Sequence, residues 1–204
     1  TSGAPADYNG NLTSEGLGII SVNYKPVNNI DIQLWDYYLE NILNSAFFQL
    51  KGKAAIKESS KLIYGAQFLR QDAINYGGNP DPDLSYTEKG ASAMTFGGQL
   101  GFNKNAWTMT LNYNRITDDG KFLFPREWGR DPFFTFMPRE RNEGFGDVHA
   151  MTTRVKYNPQ KSPLFLSLAL GYFNLPDIVE QKELNKYAVP SYFQANFDLK
   201  YKHR

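Results

Sequence analysis

Hydrophobic and polar residues alternate along much of this chain. From Trp107 to Asn114, Trp107, Met109, Leu111 and Tyr113 fall on one side, and Thr108, Thr110, Asn112 and Asn114 fall on the other. A period of two belongs to a β-strand with one apolar and one polar face. Residues 192–201 repeat the design, with Phe193, Ala195, Phe197, Leu199 and Tyr201 opposite Gln194, Asn196, Asp198 and Lys200. In 164–173, Leu164, Leu166, Leu168, Leu170 and Tyr172 share a side, with Phe165, Ser167, Ala169, Gly171 and Phe173 on the other. Weaker alternation at about 17–24, 29–38, 45–56, 62–72, 93–103 and 148–157 completes a set of nine strands. No amphipathic helix of useful length is present, and residues 178–187 suit only a short helix or turn.

The connections differ in length by parity. Short turns at 25–28, 57–60, 103–105 and 158–163 follow the first, third, fifth and seventh strands. The intervening connections, at about 39–44, 73–92, 115–147 and 174–190, are mostly longer. Short turns at one end and long loops at the other are the pattern of an outer-membrane barrel. The ends of the apolar faces carry Trp107, Tyr113, Tyr172 and Tyr201, ring types that favour a membrane–water interface. Strands of about 9–11 residues suit a tilted bilayer crossing. A soluble or secreted all-β binding module also alternates and is the competing reading, but it has no need of rings at its strand ends.

The expected fold is therefore an all-β, antiparallel transmembrane β-barrel, with residues 1–204 forming a single partial barrel domain. An open sheet edge in lipid leaves backbone groups unsatisfied, and single-chain bacterial barrels have even strand numbers. Nine strands are accordingly expected to be one piece of a larger barrel. They should form a curved sheet whose first and last strands do not pair with each other.

Composition narrows the function classes. Aromatic residues make up 15% of the chain, which argues against disorder. A net charge of +1 argues against nucleic-acid binding driven by bulk charge. The absence of cysteine excludes disulfides, thiolate metal sites and cysteine nucleophiles. No run of about 18 apolar residues exists to make a transmembrane helix. The opening residues Thr1-Ser2-Gly3-Ala4-Pro5 lack a charged-then-apolar leader, so a processed or internal segment is expected.

Residues 120–144 carry the densest chemistry. Five phenylalanines and Trp128 are interleaved there with four arginines and three glutamates. A stretch so aromatic is expected to pack on itself or over an opening, presenting guanidinium groups suited to carboxylates. Its motifs Pro125-Arg126-Glu127-Trp128-Gly129, Asp131-Pro132-Phe133-Phe134-Thr135 and Pro138-Arg139-Glu140-Arg141-Asn142-Glu143-Gly144 resemble the constriction loop of OprD-type substrate-specific outer-membrane porins. The flanking strand pattern agrees over nearly the whole chain.

The resemblance implies an 18-stranded barrel with a narrow, loop-constricted pore in the bacterial outer membrane. It implies passive diffusion of small anionic or zwitterionic solutes, mostly carboxylate-bearing, and no enzyme activity, cofactor or metal. It makes the loop the seventh extracellular one and the nine strands numbers 8 to 16. Outer-membrane lipid is then the surrounding partner, and a homo-oligomer of the complete barrel is compatible with it. The absence of a terminal aromatic at Lys202-His203-Arg204 departs from the family and fits a truncated chain.

Lys51 and Lys53 alternate with Leu50, Gly52, Ala54 and Ile56, and Arg154 and Lys156 alternate with Thr153, Val155 and Tyr157. Charge at lipid depth is costly, so these four cations are expected in the lumen, as a basic track or as ordinary charge near a turn. In the loop, Arg126, Glu127, Trp128, Arg130, Arg139, Glu140 and Arg141 are the constriction candidates. The arginines are expected to pair with Glu127, Glu140 and Glu143, which makes loop support a better role for each than direct solute contact. Asn79, Asp81, Asp83 and Glu88 space oxygens as calcium ligands do, without the glycine turn of an EF-hand, and read better as an acidic surface loop. Asp147 and His149, with no serine elbow, make a poor hydrolase site. Asn11-Leu12-Thr13 fits a glycosylation acceptor that has no meaning in a bacterial outer membrane.

Overall fold

The structure is a computed structural model that describes residues 6–57, 59–125, 128–138, 142–160 and 162–201. It contains nine strands: β1 (Leu17–Val27), β2 (Ile30–Leu39), β3 (Leu43–Lys57), β4 (Ser60–Ala73), β5 (Ser92–Lys104), β6 (Trp107–Ile116), β7 (Val148–Tyr157), β8 (Leu164–Asn174) and β9 (Tyr192–Tyr201). They form one antiparallel meander in sequence order, and each strand pairs only with its chain neighbours. Among the described residues β1 and β9 do not pair, so the sheet is open, as expected of a piece of a larger barrel. The only helical pieces among the described residues are two 3-10 turns, Pro82–Leu84 and Lys182–Leu184.

The short connections are tighter than the sequence suggests, because the strands run on into them. Pairing of Lys104 with Trp107 leaves a two-residue turn, and Asn105 takes a φ of 52°, which asparagine tolerates. Val27 pairs with Ile30 after a bulge at Lys25-Pro26, where proline has no N–H to give the ladder. The connection expected at about 39–44 shrinks to residues 40–42, because Leu39 still pairs with Leu43. The long connections are kept: 74–91, 117–147 and 175–191.

Register decides the faces. Directly opposed residues share a face, so Gln33, Gln49, Gln67, Gly97, Asn114, Ala150 and Phe173 form one continuous row. The described residues of the 120–146 stretch fold onto this face, which is therefore the inner one. Phe122, Phe133, Met137 and Phe145 are buried there with Phe47, Leu69, Ile116, Val148 and Phe173. The outer face is apolar and bare: Leu111 is 58% exposed and Phe193 82%. Trp107 and Tyr157 meet at one end with ring centroids 4.6 Å apart, and Tyr172 and Phe193 meet toward the other at 4.5 Å. Between such rings lie Met109, Leu111, Leu168 and Leu170, the composition of a wall that faces lipid.

In a complete barrel inserted in lipid, Leu111→Lys should cost about 2–4 kcal/mol, because it puts a charge near the middle of this band. Thr110→Lys, on the inner face, should cost far less. Equilibrium unfolding from vesicles measures both, and equal costs would contradict the assigned faces.

Candidate pore constriction

Two glutamines on β4 fix the long loop. Gln67 is buried on the inner face; its Nε2 donates to the Pro132 carbonyl at 2.7 Å, and its Oε1 accepts from the Phe134 N–H at 3.0 Å. Gln71 grips the other arm: its Nε2 donates to the Leu123 carbonyl at 2.5 Å, and its Oε1 accepts from the Leu123 N–H at 2.9 Å. A primary amide presents one donor and one acceptor edge, so each side chain pairs with loop backbone as a strand neighbour would. Gln67 also donates to Gln49 at 2.7 Å, and Gln49 donates to Gln33 at 3.0 Å. Further along, Arg154 donates to the Phe136 carbonyl at 3.0 Å, and Gln194 donates to the Pro138 carbonyl at 2.7 Å. Within the loop, the buried Asp131 carboxylate accepts from the Asn142 N–H at 2.8 Å, tying the two arms together.

Glycines on the inner face make room for the loop. A Cβ on Gly65 would stand 2.6 Å from the Phe134 ring, and one on Gly171 would stand 2.6 Å from Met137 Sδ. Both positions lie on the wall where the loop descends, and any side chain there would push it away.

What remains open beside the loop is a cavity of about 300 Å³. Lys51 and Arg130 border it, together with Gln33, Gln49, Trp35 and Trp128. Trp128 stacks on Tyr37 at 4.8 Å and meets Phe124 edge-on at 5.7 Å. Lys51 sits over the Phe134 ring at 5.6 Å, and Arg130 lies 5.8 Å from that of Phe136. Two cations thus stand on an aromatic and amide wall, which suits a flat or small solute bearing a carboxylate.

The structure brings some of the sequence candidates together and separates others. Lys51, Trp128 and Arg130 share the cavity. Arg154 lies on the inner face and holds the loop backbone. Lys53 and Lys156 also face inward by register, Lys53 opposite Ile63 and Lys156 opposite Thr108, but neither borders that cavity. Arg126, Glu127, Arg139, Glu140 and Arg141 lie outside the described residues. Glu143 pairs with Lys186 of the next loop at 3.1 Å. Register adds one inward cation that was not a candidate, Lys61 opposite Ala55, and puts Lys200, already on the polar side of its strand, inward opposite Phe165.

At the base of the loop, Asp147 takes a left-handed φ of 49° and joins two connections. One carboxylate oxygen meets Arg115 Nη2 at 2.6 Å, and the other accepts from Gln181 Nε2 at 2.9 Å. The Gln181 hydrogen bond, and after it the Arg115 guanidinium, hold this carboxyl below its ordinary range against partial burial.

Comparison with solved structures follows from this geometry. The fold matches OccK10 (OpdN) of Pseudomonas aeruginosa with a TM-score of 0.73 at 9% identity, over 92% of this chain and 51% of that one. It matches OccK5 (OpdH) of the same organism at 0.73 and 15% identity, over 98% and 52%. It matches OccD1 (OprD) at 0.73 and 15% identity, over 97% and 51%. The chain thus has the fold of a porin-barrel segment, and the OprD-type resemblance holds at the level of fold. It spans about half the length of the barrels it matches. No family model and no curated protein matches it.

Two predictions follow for a complete barrel. Gln71→Leu should orphan the buried N–H and C=O of Leu123 at about 1–3 kcal/mol each. The loop should then loosen while the barrel stays folded, read as faster tryptic cleavage at Lys121 and Arg130 with unchanged heat-modifiable migration; unchanged cleavage would mean that the glutamine is not a clasp. For Asp147 the sign is set by a lowered folded pKa. Its contribution is present above the unfolded value and is lost as pH falls through the folded one, so the loop base should open only as pH falls below the ordinary aspartate range. Asp147→Asn should flatten that segment of a pH–proteolysis profile, and an unaltered profile would exclude the carboxylate.

Proposed function

We propose that this chain is part of the wall and the constriction of an outer-membrane porin. It passes small carboxylate-bearing solutes by passive diffusion and is not an enzyme. The observation that carries this reading is the loop folded onto the inner face, clasped by Gln67 and Gln71, with Lys51 and Arg130 at the edge of the remaining space. A loop held this way narrows an opening without closing it. Its buried aromatics supply the rigidity, at roughly 1.5–3 kcal/mol for each large side chain removed from water.

The electrostatic consequence is selectivity. Cations on a narrow, low-dielectric wall raise the local concentration of anions and speed their entry. Lys51, Lys53, Lys156 and Arg154 continue the field of Arg130 along the inner face. Each contact must stay weak, because a solute bound tightly does not leave. The competing reading, a soluble binding module, has no use for the bare apolar outer face.

The test is carried out on the complete barrel in planar bilayers. Lys51→Met with Lys53→Met removes two charges while leaving Arg154 to hold the loop. Flux of benzoate should fall more than flux of benzamide, a neutral solute of equal size. Equal falls would mean that the lysines only set pore width. Absence of any conductance would overturn the channel reading.

A further inference from the structure

A second cavity, of about 290 Å³, lies where four segments converge at the long-loop end of the sheet. Tyr8 comes from the stretch before β1, Tyr86 from the β4–β5 connection, Phe124 and Glu143 from the β6–β7 loop, and Lys186 and Tyr187 from the β8–β9 loop. The Lys186 ammonium lies 6.0 Å from the Tyr8 ring centroid, 6.0 Å from that of Tyr86 and 5.4 Å from that of Tyr187. Its nearest charge is Glu143, at 3.1 Å. The Glu143 side chain is only 6% exposed, and its other oxygen accepts from the Tyr187 hydroxyl. The Tyr8 and Tyr86 rings stand at 76° with centroids 5.3 Å apart, forming two walls of a corner.

Aromatic faces around a point, with a carboxylate at its base, recognise organic ammonium groups. Here the chain's own lysine fills the place. We propose that this is a binding site for the ammonium or quaternary ammonium end of a solute, and that Lys186 is a tethered occupant which the solute displaces. The proposal rests on the porin reading and extends it to solutes carrying a cation as well as a carboxylate.

Three features favour a site over a simple pin between loops. A pin needs no space, yet a cavity large enough for a small molecule adjoins the ammonium. Lys186 keeps 32% of its side-chain exposure, so it has a way out. Glu143 is buried, and an unpaired buried carboxylate is costly, so when Lys186 leaves another cation is favoured in its place. Glu143 also belongs to the loop that carries Trp128 and Arg130. A zwitterion held at the outer cavity by its cation is therefore delivered toward the cations of the inner one.

Choline is the probe, added to the detergent-solubilised complete barrel and followed by calorimetry. If Lys186 occupies its cage about nine-tenths of the time, Lys186→Ala should lower the apparent Kd for choline about tenfold. Adding Glu143→Gln or Tyr86→Leu to that variant should abolish the gain. Heat-modifiable migration verifies that each variant is folded. A folded Lys186→Ala barrel with no choline binding, or with the affinity of the unmodified protein, overturns the proposal. The unmodified protein supplies a second readout: choline should speed reductive methylation of Lys186, followed by mass spectrometry, and an unchanged rate overturns the displacement. Choline binding in detergent is read independently of conductance. A barrel that binds choline but does not conduct would overturn the porin reading and leave the cage, whereas one that conducts without binding choline would overturn the cage alone.

Discussion

The ladder between consecutive strands is the constraint on which the rest depends. In an antiparallel pair, the partner of each residue fixes the face its side chain takes, and a slip of one residue would invert every assignment. Across eight pairings this sheet keeps its bare apolar band outward, and inward it turns amides, glycines and cations together with the apolar residues that receive the loop, with one bulge near each of the first and third hairpin turns. Only with that register does the glutamine row of β2, β3 and β4 face the loop. Only then do Gly65 and Gly171 fall under Phe134 and Met137. The loop geometry is thus a consequence of strand pairing rather than an independent fold.

A loop of this length would normally be too costly in conformational entropy to hold one shape inside an opening. Two kinds of interaction offset the cost. The phenylalanines bury against the inner wall and against each other, as Phe122 and Phe133 do at 4.9 Å. That burial is strong but not directional. The amide clasps and Arg154 are individually modest, but they fix position, because a backbone N–H and C=O in register with an amide leave little freedom. Apolar packing keeps the loop in, and hydrogen bonding determines which of its edges faces the cavity.

How far the sequence foretold this depends on the kind of signal. The strands were legible because alternation is local and repeated, as in Trp107–Asn114. Their ends were less so: Leu39 and Leu43 continue a ladder through what composition marks as a connection, since pairing partners outweigh turn propensity. The loop was legible from its aromatic density, but its clasps were not. Gln67 and Gln71 look like any polar residue on a wet face, and nothing near them in sequence indicates a partner 52 to 67 positions away. Lys61 was missed for a related reason, because its direction follows from the register of the sheet, whereas Lys200 was already legible on the polar side of 192–201. The constriction arginines could be named as a group from their motif, but which of them borders open space is a matter of tertiary placement, and Arg130 is the one the described residues put there.

The two cavities differ in a way that bears on traffic through the loop. The inner one is lined by cations with amides and rings behind them, and the outer one by tyrosines and a buried acid that pairs with Lys186. Opposite preferences at successive positions lower the chance that any single solute group is held tightly at both. On the proposed porin reading, a group attracted at the first is released by the character of the second, and the complementary end of a zwitterion is taken up in turn. On that reading, weak contacts of alternating sign reconcile selectivity with flow, the condition every selective pore must meet. In this chain both cavities share one loop, with Glu143 on one arm and Trp128 and Arg130 on the other. The Asp131 carboxylate accepts from Asn142 across those arms. The same arms are also joined where Phe122 pairs with Phe145 and Gly144, and Phe124 lines both cavities.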